Sequence, residues 1–207
     1  SYTNQGQICL CGSRIFVERS IYEKFKTAFV SEVQKLQVGD PANEDSNLGA
    51  VVSEAHMNKV LSYIKLAQEE GGTILSGGKR IIQDGRCTNG YFIEPTIIEG
   101  LSYDCRTNQE EIFGPVVTIM PFDTEEEVLM MANSTNYGIA ATIWIQNLKR
   151  AHNIVHKLKS GIVWVNCWMV RDLRTPFGGM KHSGMGREGG FEAFRFFTEE
   201  QNVCIKL

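Results

Sequence analysis

Apolar positions along this chain follow two different periods. Short runs rich in β-branched and aromatic residues occur at 13–17, 73–75, 90–93, 96–98, 116–120, 140–145, 162–165 and 203–207. Each reads as a strand. The run 116–120 (Val-Val-Thr-Ile-Met) is apolar almost without a break, the pattern of a strand covered on both faces. Pro95 interrupts the strand signal between 90–93 and 96–98 and predicts a kink or an edge. Between the runs, apolar residues recur every three or four positions. Phe25, Phe29, Val33 and Leu36 give one such stripe, and Val60, Tyr63, Ile64 and Ala67 a second. These spacings predict helices over 20–37 and 53–71. Ser20 with Glu23 reads as a capping box, and Ser53, Asp123-Thr124 and Asn147 read as further helix starts. The last two open helices to about 133 and about 161, and another helix is expected over 188–197. The polar, glycine-bearing stretch 77–90 reads as a surface loop.

Strands alternating with helices predict an α/β fold with a mainly parallel sheet flanked by helices. Composition agrees with a globular protein: 43% of the 207 residues are hydrophobic and 22% charged. The formal net charge of -3 gives no electrostatic case for binding nucleic acid or an anionic membrane surface. No stretch approaches the roughly 18 apolar residues of a spanning helix. The chain opens on Ser1 without a charged-then-apolar leader, so it is expected to be processed or to be a piece of something longer. Its six cysteines form no CxxC pair and are scattered, which favours free thiols in a reducing cytoplasm. For any one of them taken alone, a small buried hydrophobe is the expected role.

Cys9 differs from the rest. It follows Asn4, Gln5, Gly6 and Gln7, outside any apolar stripe. A nucleophilic thiol needs exposure and a pliable backbone whose amide can face a developing oxyanion. Two other patterns imitate sites. Residues 184–189 spell GxGxxG, but neither an apolar strand before them nor an acid about 20 residues on is present, so a turn feeding a helix is the better reading. His152 and His156 lie four apart without a third ligand nearby and with Lys149, Lys157 and Lys159 around them, so a solvated helix face is expected rather than a metal site.

Tyr2, Gly6, Gln7 and Cys9, with Arg14 five residues further, resemble the active-site cysteine signature of the aldehyde dehydrogenase superfamily. Further segments match in order: Gly90-Tyr91-Phe92 with Pro95-Thr96, the run from Glu110 to Pro115, Ala132-Asn133 with the run from Tyr137 to Ala141, and the glycine-rich segment from Pro176 to Glu188. The likeness spans essentially the whole chain. It implies a catalytic domain over 1–198 and an oligomerisation strand over 199–207. It also implies that Cys9 attacks an aldehyde, passes through a thiohemiacetal and a thioester, and offers its amide to the oxyanion. NAD or NADP would accept the hydride, NAD being the preferred reading. Glu111 would bind the nicotinamide ribose hydroxyls and Phe113 would pack beside the nicotinamide. Family members are more than twice as long. The dinucleotide-binding domain, the water-activating glutamate and the asparagine that completes the oxyanion hole would all precede Ser1, so turnover is not expected from these residues alone.

The run from Asn166 to Arg174 falls where the family lines its aldehyde entry, and it is similar to the muconic semialdehyde dehydrogenases. Arginine is shaped to hold a carboxylate through two parallel hydrogen bonds. The expected substrate is therefore an aldehyde that also bears a carboxylate. Arg171 is the better clamp, because Asp172 can occupy Arg174 instead. Trp168 and Phe177 would wall the aldehyde, although both residues also suit a core. The implied partners are the small aldehyde, the missing dinucleotide-binding domain and further copies of the chain. The competing reading is a non-catalytic domain kept for assembly. A weaker one, a cofactor-free cysteine hydrolase, lacks a histidine in any motif that suggests a base.

Overall fold

The run 116–120 becomes the strand on which the larger part of the molecule is built. The computed structural model describes residues 1–207, whose contacts gather into two compact units, Ser1–Thr135 and Asn136–Leu207. In the first unit, β1 (Arg14–Glu18) and β5 (Thr96–Glu99) both run parallel to β6 (Val116–Phe122), one on each side. β2 (Thr73–Ser76) closes the far edge antiparallel to β5, with a register shift between Ile74 and Ser76. The order is β1-β6-β5-β2, mainly parallel as expected.

Successive side chains of a strand face opposite sides, and here both sides are covered. Val116 and Ile98 enter one core with Val60, Ile64, Ala67 and Ile112. Val117, Ile119 and Ile97 enter the other with Tyr2, Val17, Tyr22 and Val33. Ile97, Ile98 and Ile119 are fully buried. Each such side chain contributes about 2 kcal/mol relative to exposure.

The helices follow the apolar stripes, with shifted ends. α2 (Glu54–Glu69) starts at Ser53, whose Oγ accepts the His56 amide at 3.2 Å. α4 (Glu125–Asn133) starts at Thr124, whose Oγ1 accepts the Glu127 amide. The capping box expected at Ser20 does not form. A 3-10 turn over Arg19–Ile21 already winds Ser20 into the chain entry, α1 (Tyr22–Val33) begins without a side-chain cap, and Glu23 pairs with Lys26 instead. α1 also ends short of 37, because Val38 leaves it to bridge Leu48. The loop 77–90 contains β3 (Arg80–Ile81), paired antiparallel with β4 (Phe92–Ile93). Pro95 therefore separates two strands of different sheets. α3 (Arg106–Gln109) is a single turn before the 110–115 segment.

In the second unit, β8 (Ala140–Ile143) runs parallel to β9 (Ile162–Val165) across α5 (Leu148–Lys157), and Asn147 caps α5 through the Arg150 amide. β9, whose run of Ile, Val, Trp and Val is as apolar as that of a fully covered strand, is only partly covered: Trp164 alone is buried, since β8 alone flanks it. His152 and His156 lie on the exposed face of α5. β7 (Tyr137–Gly138) and β10 (Met180–Lys181) form a short antiparallel pair, and α6 (Gly190–Phe197) follows the glycine-rich turn. Residues 199–207, expected as a strand, are exposed and carry no ladder within the chain. No helix is long and apolar enough to cross a membrane.

Candidate active site

The loop carrying Cys9 is tied to the sheet at its start. Tyr2 is buried, its hydroxyl donates to the Thr96 carbonyl at 2.9 Å and its ring stacks on Phe29. The chain then takes three consecutive left-handed residues, Asn4 (φ 50), Gln5 (φ 56) and Gly6 (φ 71). Such backbone persists only where surroundings enforce it. Here the Gly6 amide donates to Tyr2 O, the Gln7 amide to Asn4 O, and the Val52 amide to Gln7 Oε1 at 3.0 Å. Gly6 has a second reason to be glycine, since a Cβ there would lie 2.1 Å from the Gly114 carbonyl oxygen. The cysteine loop thus abuts the 110–115 segment backbone to backbone.

Cys9 is exposed, in a turn closed by the Cys11 amide donating to Ile8 O at 2.9 Å. The amides of Gly6, Gln7 and Cys11 are committed within the loop, whereas the Cys9 amide donates to no group of the chain. Cys11 is half-buried, and burial pushes its thiol pKa up, which favours the inert protonated form. The general expectation of buried cysteines is not met: Cys9 and Cys204 are exposed and the other four are half-buried, Cys105 packing against the first core.

The 110–115 segment is gripped by one face of α2. His56, Lys59, Val60 and Tyr63 stand at helical spacing. Tyr63 Oη donates to Glu110 Oε2 at 2.6 Å, and Lys59 Nζ donates to the Glu111 carbonyl at 2.8 Å. His56 Nε2 meets the Phe113 carbonyl at 2.7 Å, and Val60 packs against Gly114. The two adjacent glutamates consequently differ. Arg106 holds Glu110 through two hydrogen bonds and, with Tyr63, keeps its carboxyl below the usual range. Glu111 is anchored by its backbone and is exposed. Phe113 is half-buried and left-handed at φ 60. Sequence reasoning singled out Glu111 and Phe113 but missed His56 and Lys59. Their spacing relative to Val60 and Tyr63 was the available signal, obscured because polar residues do not enter an apolar stripe. Arg14 is also explained: its guanidinium donates to the Met131 and Ala132 carbonyls at the end of α4. Burial lowers its pKa to about 10.

The second unit holds the remaining candidates. The Arg171 guanidinium carbon lies over the Phe177 ring, 4.0 Å from its centroid, and one guanidinium nitrogen pairs with Glu188 at 3.0 Å. Phe177 and Glu188 are themselves joined by two backbone hydrogen bonds of 2.8 Å. Arg174 is held by both oxygens of Asp172, the pairing that made Arg171 the better clamp in sequence. Trp168 is half-buried. Trp164 Nε1 donates to Val170 O and anchors the loop, and Asn166 bonds both backbone groups of Ile145, prolonging the β8–β9 pairing.

Comparison with known proteins places these features in context. The profile of the aldehyde dehydrogenase family matches residues 1–203. The 2-aminomuconic semialdehyde dehydrogenase of Mus musculus is 50% identical over all of this chain and 43% of its own length. The 2-hydroxymuconic semialdehyde dehydrogenase of Pseudomonas sp. (strain CF600) is 45% identical, again over the whole chain and 42% of its own. This chain therefore spans less than half the length of these curated relatives. Among solved structures, an NAD+ complex of an aldehyde dehydrogenase from Bacillus cereus superposes with a TM-score of 0.90 at 40% identity, over 96% of this chain and 39% of that one. A betaine aldehyde dehydrogenase from Staphylococcus aureus in complex with NAD+ gives 0.88 at 40% identity, over 94% and 38%.

Proposed function

The chain belongs to the aldehyde dehydrogenase family, and from that premise we propose that it is the cysteine-bearing portion of an NAD(P)-dependent enzyme that oxidises an aldehyde to the acid. The observation that carries this reading is the exposed Cys9, presented on a left-handed loop and fixed against the 110–115 segment through Gly6 and Gly114. The Cys9 thiolate attacks the aldehyde carbon to give a thiohemiacetal, and the Cys9 amide, uncommitted within the chain, serves the oxyanion. A nicotinamide cofactor supplies, when bound, the acceptor for a hydride. Cys9 then carries the acyl group as a thioester until water releases the acid.

The residues present fit such a cofactor. Glu111 is anchored through its carbonyl and exposed, as a carboxylate that accepts from two vicinal hydroxyls must be. Phe113 offers a half-buried ring beside it. NAD+ complexes of similar structures favour NAD as that cofactor. For substrate, we favour a semialdehyde bearing a carboxylate of the 2-aminomuconic or 2-hydroxymuconic kind, with Arg171 as the carboxylate contact and Trp168 and Phe177 beside it. Six unpaired cysteines suit a reducing cytoplasm.

The test uses the full-length protein and follows NADH formation from such a semialdehyde. Cys9→Ser is expected to lower kcat by about a thousandfold or more. Brief iodoacetamide treatment at neutral pH should label Cys9 before Cys167 and Cys204. Undiminished turnover in the Cys9→Ser protein rejects the proposal.

A further inference from the structure

We propose that His56 is the positioning residue for Phe113. The inference rests on the reading that Phe113 lies beside the cofactor, and it adds a residue which that reading does not assign. Phe113 is the most constrained point of its segment. A bulky residue at φ 60 is a conformational outlier and needs neighbours that over-determine it. Ile112, just before it, is buried in the core, and Gly114, just after it, is pressed between the Gly6 backbone and Val60. With both sides fixed, the left-handed residue turns its carbonyl towards α2, where His56 Nε2 lies 2.7 Å away. A carbonyl only accepts, so Nε2 carries the proton. The imidazole also meets the Phe113 ring edge-on, at 71° and 6.3 Å between centroids. His56 is itself held, its amide donating to Ser53 Oγ at the helix start. One side chain thus fixes both the backbone and the ring of Phe113 from a capped helical turn.

The experiment uses the full-length protein with His56→Leu, His56→Gln and Glu111→Gln. The Kd for NAD+ is measured by calorimetry, and hydrogen–deuterium exchange of the peptide spanning 110–116 is followed without cofactor. His56→Leu is expected to raise the Kd about tenfold, the size of one lost hydrogen bond with its geometry. It should also speed exchange in that peptide. His56→Gln keeps an N–H donor at similar reach and should restore most of both. NAD+ affinity unchanged in His56→Leu, or His56→Gln as weak as His56→Leu, overturns the inference. If Glu111→Gln weakens binding while His56→Leu does not, only the His56 role fails. If neither does, the cofactor reading beneath it fails. Should His56→Leu not fold, His56→Asn, whose amide falls short of the carbonyl, carries the same expectation.

Discussion

Three arginines show how little residue type says without its surroundings. Arg14 is half-buried and terminates α4 through two carbonyls, a structural role hidden inside the cysteine signature. Arg174 is occupied by its near neighbour Asp172, as the sequence allowed it to be. Arg171 lies over the Phe177 ring, with a single nitrogen paired to Glu188. In the full-length protein, Arg171→Ala is expected to raise KM for a carboxylate-bearing semialdehyde about tenfold or more, the worth of a charge-assisted pair. KM for a neutral aldehyde should change far less, and steady-state kinetics on both substrates measures the contrast. Equal changes would remove Arg171 from the carboxylate contact. Cys9 was legible because a thiol outside any apolar stripe is unusual. His56 was not, because its significance is a distance to a residue 57 positions away.

At the scale of elements, strong local signals carried through and weak ones did not. Ser53, Thr124 and Asn147 cap their helices because each lies just ahead of the first helical turn. Ser20 does not, because the preceding residues wind early. The two-residue strands β3, β4, β7 and β10 are too short to leave a period. α3 illustrates a cap supplied from afar. Glu70 accepts the Arg106 and Thr107 amides and the Thr107 hydroxyl. Its burial raises its pKa, but these hydrogen bonds, with that of Cys105, outweigh it and the net shift is downward from 4.5. A carboxyl with a depressed folded pKa stabilises above its unfolded value and loses that contribution as pH falls through the folded one. Glu70→Gln is therefore expected to cost about 1–2 kcal/mol at neutral pH. The difference from the parent should shrink well below pH 4.5. Thermal unfolding at pH 7 and pH 3 tests it, and an equal gap at both would discard the charge-based account.

For the whole molecule, the C-terminal segment is expected to bear on assembly. Val203, Ile205 and Leu207 are exposed and recur at every second position, a strand pattern with no partner strand in the chain. Such an edge invites pairing with another copy. Removing residues 202–207 from the full-length protein is expected to lower the assembly mass in size-exclusion light scattering, and an unchanged mass would reject that role. By itself, the sequence determined the alternating elements, the strand covered on both faces and most helix starts, and it offered candidates for the chemistry, because periodicity, capping and side-chain reactivity act over a few residues. Only the tertiary structure decided that Gly6 meets Gly114, that Phe113 is left-handed, that Glu110 is tied down while Glu111 is exposed, and that Arg171 rather than Arg174 is mounted on Phe177. Those outcomes depend on which distant backbone groups packing brings within hydrogen-bond reach, and no local pattern records that.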